Sequence, residues 1–198
     1  MLMEGAIENY LNSYRSVYPK ISDDELAFIR ENVSVTHLEN RTFYLKDGQV
    51  QRAMGYVYQG LLRSFYLNKK GEECTIGFVP EYGYASDYPS FIQQKPSNYF
   101  IQCLEPTTIV NLPFEAIQQA YARFKNFETY GRLIAENILI QKEERIRSFL
   151  FQSAEERYLD FLQQNEGLAQ RVSLTSLSSF LGIQRQSLSR IRKNLVSK

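Results

Sequence analysis

The chain reads as an α+β protein: an antiparallel strand roll with flanking helices, then a long helix, then an all-helical C-terminal end. Three observations predict this. Short strand-like runs split by Gly, Pro, Asn and Asp turns fill residues 33–113. From Phe114 onward the apolar residues recur at helical spacing. The segment Val172 to Lys198 carries five Lys/Arg and no Asp or Glu, although the 198-residue chain has a net charge of only +1.

Glu4 to Tyr18 opens the chain as a helix, with Ile7, Tyr10, Leu11 and Tyr14 on one face and Pro19 as its stop. Ser22 is the expected N-cap of a second helix, because Glu25 stands at the capping-box spacing. Leu26, Phe28 and Ile29 give that helix its apolar side. Strands are expected at 42–45, 56–58, 61–67, 74–79, 99–104 and 107–112. Lys46-Asp47-Gly48, Gln59-Gly60 and Asn68-Lys69-Lys70-Gly71 are turn signals between them.

Phe114 starts a helix that runs to about Phe124. A longer one is expected over 126–151, with Phe127, Tyr130, Ile134 and Ile138 at 3-4-4 spacing. Its apolar supply, continued by Ile146, Phe149 and Leu150, is too rich for a helix lying alone on a surface. It must pack on the strands, on a partner subunit, or on both. The run Gln141-Lys142-Glu143-Glu144-Arg145 is expected to be solvated. Another helix is expected over 154–164, ending at Asn165-Glu166-Gly167.

Two short helices joined at Leu181-Gly182-Ile183 close the chain. The first carries Leu174, Leu177, Phe180 and Leu181; the second carries Leu188, Ile191 and Leu195 on one side. At 100° per residue, Gln186, Ser189, Arg190 and Lys193 project on nearly the opposite side. A helix with one face for a core and one basic, hydrogen-bonding face suits the major groove of double-stranded DNA. The competing reading is a solvated basic helix end that complements its own dipole.

Composition excludes several classes. No apolar run approaches the roughly 18 residues of a membrane span, and no basic leader precedes an apolar core, so a cytoplasmic protein without a membrane partner is expected. His37 is the only histidine, and Cys74 and Cys103 the only cysteines. No zinc spacing, no four-ligand iron–sulfur set and no Ser-His-Asp or Cys-His constellation can be assembled from these. No metal, no cofactor and no catalytic residue is therefore expected, and the chain is read as a non-enzyme.

The order of strand roll, long helix, helix and helix-turn-helix resembles the bacterial regulators that include the cyclic-AMP receptor protein and the fumarate–nitrate reductase regulator (Crp/Fnr). Tyr56-Val57-Tyr58-Gln59-Gly60, Asn68-Lys69-Lys70-Gly71-Glu72-Glu73 and Ser179 to Arg190 carry the resemblance, which spans nearly the whole chain. It implies a cyclic-nucleotide-binding-like roll over 1–125, a dimerisation helix over 126–151 and a winged-helix-type helix-turn-helix domain over 152–198. So few residues follow the last helix that a wing must come from strands before the helices, or be vestigial.

The resemblance also implies a homodimer on a pseudo-palindromic operator. Arg185, Gln186 and Arg190 are expected to read bases. Ser189 and Lys193 are expected to touch bases or backbone, and Arg192 and Thr175 to touch phosphate. RNA polymerase and a small-molecule effector join DNA as partners to consider.

The expected ligand pocket departs from the family. Ser86 and Asp87 stand where nucleotide-binding members have Gly-Glu, and Ser97 and Asn98 stand where they have an arginine for the phosphate. A buried phosphate needs a cation or several donors, and Tyr99 intrudes where a small residue is usual. Cyclic-nucleotide binding is therefore expected to be lost. Either another ligand binds there, or tyrosines such as Tyr82, Tyr84, Tyr88 and Tyr99 fill the space. An output on a protein partner, with no DNA involved, is the alternative function.

Overall fold

The computed structural model describes residues 2–196. The chain divides into two compact units. One holds the residues up to Ser64 with Phe78–Asn137, and the other holds Phe65–Gly77 with the residues from Ile138 onward. The helices are α1 (Leu2–Val17), α2 (Asp23–Asn32), α3 (Tyr88–Gln93), α4 (Phe114–Arg123), α5 (Lys125–Phe151), α6 (Ala154–Gln164), α7 (Leu168–Arg171), α8 (Leu174–Leu181) and α9 (Arg185–Val196). The strands are β1 (Ser34–Leu38), β2 (Phe43–Leu45), β3 (Ala53–Gln59), β4 (Leu62–Leu67), β5 (Glu73–Val79), β6 (Tyr84–Ala85), β7 (Phe100–Cys103) and β8 (Thr107–Pro113).

Two four-stranded sheets form, in the orders β1-β8-β3-β6 and β2-β7-β4-β5. β3 and β8 are antiparallel, with Tyr56 opposite Val110 and Val57 opposite Ile109. This register explains why the middle of β3, residues 54–57, and nearly all of β8 are buried. Side chains alternate across a strand, so Val57 and Ile109 join Leu45, Leu62, Ala85, Ile101 and Cys103 in one apolar cluster. Tyr56, Val110 and Leu112 turn the other way and meet α1, α2, α4 and the start of α5. A sheet covered on both faces loses the polar alternation of an exposed one.

The helical side of this core is unusually rich in phenols. Tyr14 stacks on Tyr130, ring centroids 4.4 Å apart. Tyr10 and Tyr14 share a hydrogen bond of 2.7 Å between their hydroxyls, as do Tyr84 and Tyr130. Tyr56 donates to Asn9 Oδ1 at 2.7 Å. Each buried hydroxyl thereby finds a partner, which removes the roughly 1–3 kcal/mol penalty of an unsatisfied polar group.

Local signals set the element ends. Ser22 caps α2 by the full capping box with Glu25, a device worth about 1 kcal/mol. Gly60 follows β3 with φ +104°, and a Cβ there would lie 2.7 Å from the Pro106 carbonyl oxygen, so only glycine fits this turn. Four elements lie outside the sequence expectations: the strand β1, the two-residue β6, the six-residue α3 and the one-turn α7. Among the described residues no strand follows Pro113. The residues just before the helix-turn-helix form the one-turn helix α7.

Candidate nucleic-acid interface

Each helix of the second unit begins and ends on a specific device. Ser153 caps α6 in a capping box with Glu156. Ser173 caps α8 by accepting from the Ser176 amide at 3.0 Å. Gly182 ends α8 in the left-handed region at φ +68°. Its amide bonds the Ser179 carbonyl at 3.1 Å, and the Ile183 amide bonds that of Ser178 at 3.0 Å. This Schellman closure reverses the chain within three residues and starts α9 at Arg185.

α8 turns Leu177 and Leu181 inward, and α9 answers with the fully buried Leu188. Ile191 and Leu195 are half-buried on the same side of α9. Arg185, Gln186, Ser189, Arg190, Arg192 and Lys193 are all exposed. The helical spacing thus sorts α9 as expected, with Gln186, Ser189, Arg190 and Lys193 on one outward stripe and Arg185 at the helix start. Thr175 is exposed in the first turn of α8. No residue after Glu166 is acidic, so the stripe has no counter-charge on its own two helices.

Three side chains that sequence reasoning passed over hold this head. Arg145 was expected in a solvated run, but it is half-buried and donates from Nη2 to the Phe180 carbonyl at 2.7 Å. Arg157 donates from Nε to the Leu181 carbonyl at 3.1 Å. Ser179 accepts from the Thr75 amide at 2.9 Å and donates to the Glu73 carbonyl at 3.3 Å. Strand β5 is the edge of its sheet, and a side chain here satisfies backbone groups that an edge leaves unpaired. No sequence pattern announces these contacts, because the partners lie 24 to 106 residues apart.

Farther up the chain, the C-terminal half of α5 carries apolar residues that are exposed. Leu139, Ile146 and Leu150 are 68%, 54% and 70% exposed. At helical spacing they fall within an arc of roughly 40°.

No protein-family model matches the chain, and no curated protein matches it in sequence. Solved structures do match. FixK2 from Bradyrhizobium japonicum aligns over 83% of this chain and 85% of its own, with a TM-score of 0.72 at 14% identity. The catabolite activator protein of Thermus thermophilus covers 91% of this chain and 86% of its own, with a TM-score of 0.57 at 16% identity. The c-di-GMP responsive regulator CLP of Xanthomonas campestris covers 89% and 92%, with a TM-score of 0.66 at 15% identity. The fold is that of the Crp/Fnr regulators.

Within this Crp/Fnr fold, the residues expected to line the ligand pocket bind one another. Ser97 is buried and donates to Asp87 Oδ2 at 2.8 Å. The Tyr99 amide donates to Ser97 Oγ at 3.0 Å. Gln51 Oε1 accepts from the Ser86 hydroxyl at 3.2 Å and the Asp87 amide at 3.1 Å. The Gln51 amide donates to the Ala53 and Ala85 carbonyls. Asn98 is exposed and takes no part in this cluster. Ser86, Asp87, Ser97 and the Tyr99 backbone therefore come together, organised by Gln51, a residue no motif singled out. Of the tyrosines expected as filling, Tyr84 is half-buried and tied to Tyr130, whereas Tyr82 is 62% exposed.

Proposed function

We propose that this protein is a sequence-specific DNA-binding transcription regulator of the Crp/Fnr type. It acts as a cytoplasmic homodimer and does not respond to cyclic AMP. The observation that carries the reading is the exposed stripe of α9, with Gln186, Ser189, Arg190 and Lys193 on a helix whose other side is anchored by Leu188. The Crp/Fnr fold supports it.

In this reading the exposed face of Leu139, Ile146 and Leu150 pairs with the same face of a second copy. Two α9 helices then meet half-sites roughly 34 Å apart on one side of the duplex, and the operator is a pseudo-palindrome. Arg185 and Arg190 pair with guanine and Gln186 with adenine, by the geometry that suits each. Ser189 and Lys193 contact bases or backbone. Arg192 and Thr175 contact phosphate.

Residues 1–125 serve as a sensor-like roll, 126–151 as the dimer helix and 152–198 as the reading head. The name of CLP says that it responds to c-di-GMP. In this chain, the mutual bonding of Asp87 and Ser97 supports a roll without a cyclic-nucleotide effector.

The test is a selection of DNA from a random pool by the full-length protein, followed by anisotropy titrations. A recurrent pseudo-palindrome is the expected product. Arg190→Ala should weaken binding to it by about 1–3 kcal/mol and relax the preference at one position per half-site. Equal binding by the substituted protein would show that α9 does not read DNA through this stripe.

A further inference from the structure

The last turn of α8 is finished by residues from outside the helix-turn-helix. An α-helix leaves its final carbonyls without intrahelical donors. The Gly182 and Ile183 amides serve Ser179 and Ser178. The next two carbonyls, of Phe180 and Leu181, are taken by Arg145 and Arg157. Both cations sit at the negative end of the α8 dipole, where they are favoured. Arg157 also donates from Nη1 to the Gln152 carbonyl at 2.6 Å, which ties it to the segment joining α5 and α6.

The two guanidiniums share one aromatic ring. Arg145 lies 4.9 Å and Arg157 5.0 Å from the Phe149 centroid, and Arg145 lies 3.8 Å from that of Phe180. A Cβ on Gly182 would be 2.6 Å from Phe149 Cε1, so the turn closes directly on the same ring. Neither arginine has an acidic partner among the described residues. Burial, then repulsion from Arg157, lowers Arg145 to about 10. Half-burying two like charges without a carboxylate costs stability, whereas an apolar contact could join the helices at no such cost. What the arginines add is direction, since each bond fixes a backbone carbonyl at a set angle.

We propose that Arg145 and Arg157 are positioning residues for DNA binding. Their clamp on the Phe180 and Leu181 carbonyls sets the orientation of α9 against the C-terminal end of α5. That orientation fixes the spacing at which the two heads of a dimer meet the duplex. The proposal rests on the DNA-binding reading above. It separates affinity for one half-site, made by α9 itself, from the gain on engaging two half-sites at once, which is lost when the geometry is loose.

The experiment uses the full-length protein and the DNA selected above, as a complete operator, a single half-site, and operators with one base pair added to or removed from the spacer. Arg145→Ala and Arg157→Ala should each weaken complete-operator binding by about tenfold or more, the scale of one charged hydrogen bond. Half-site binding and the salt dependence should stay near the wild-type values, and the preference for one spacer length should flatten. Arg145→Lys keeps the charge and should restore part of the spacer preference.

Unchanged operator binding would overturn the proposal. So would an equal loss on both DNAs with a reduced salt slope, because the arginines would then be phosphate contacts. Should the alanine variants not fold, the lysine variants carry the same comparison. Hydrogen exchange along 183–196 tests the clamp without DNA, and faster exchange in the variants is the expected result. If the wild-type protein selects no DNA, the functional reading fails, and exchange alone still shows whether the clamp orders α9.

Discussion

The hydroxyl of Ser97 donates a hydrogen bond to the carboxylate of Asp87, 2.8 Å away, with both residues buried. By the sequence resemblance, the two positions correspond to those expected to hold the phosphate and the ribose of a cyclic nucleotide in Crp/Fnr regulators. Here each satisfies the other. Calorimetric titration with cyclic AMP or cyclic GMP should give no binding heat at millimolar ligand, and micromolar binding of either would refute the reading. Ser97→Ala should lower the unfolding free energy by about 1–3 kcal/mol, measured in urea, because it strips a donor from a buried carboxylate.

Gly182→Ala meets two obstacles. The backbone at φ +68° strains any side chain, and the new methyl would press on Phe149 at 2.6 Å. A loss of about 1–3 kcal/mol is expected from the backbone alone. Urea unfolding should show it, together with weaker operator binding. An unperturbed protein would mean that the α8–α9 turn is far softer than its contacts imply.

The bare face of α5 should decide the oligomeric state. The double substitution Leu139→Asp with Ile146→Asp places charge in the middle of the proposed seam. Sedimentation velocity is expected to report a dimer for the wild-type protein and a monomer for the variant. Operator affinity should fall by about a hundredfold or more as the two-site gain disappears. A variant that stays dimeric would locate the interface elsewhere.

Buried phenols should make the protein sensitive to alkali. Burial raises Tyr10, Tyr14, Tyr84 and Tyr130 above the ordinary value of 10.0, and Tyr56 up to about 12. Above pH 10 the unfolded chain releases these protons while the folded chain keeps them. The stability they contribute is thus full below pH 10 and declines as pH rises towards the folded values. Arg145, lowered to about 10 by burial, acts in the opposite sense above that pH, but it is a single group. Urea midpoints measured from pH 8 to 11.5 should fall steeply past pH 10, in step with phenolate absorption near 295 nm. A flat profile would contradict the burial.

Much of this architecture is legible in the sequence where a local rule is decisive. Pro19 stops α1, the Ser22–Glu25 spacing starts α2, and Gly182 ends α8. The sorting of α9 into Leu188 inside and Arg190 outside follows from helical arithmetic. Other elements are hidden for physical reasons. Helix α3 is too short for its apolar period to show, and it starts with a proline in its first turn. Arg145 sits in a charged run, and only its contacts with Phe149 and Phe180 bury it. Gln51 accepts from Ser86 and Asp87 and donates to the Ala53 and Ala85 carbonyls, across chain distances of up to 36 residues. A side chain's tertiary partners leave no periodic trace, so pattern reading finds the exposed stripe and misses the residues that hold it in place.

The tyrosine pair at the root of α5 has a practical consequence. The chain contains no tryptophan, so its near-ultraviolet dichroism and intrinsic emission come chiefly from phenols. Tyr130 stacks on Tyr14 and is hydrogen-bonded to Tyr84, so it carries an optical signature of the junction between roll and helix. Any event that shifts the base of α5 will change that signature, and the native chain can be followed in real time without a label.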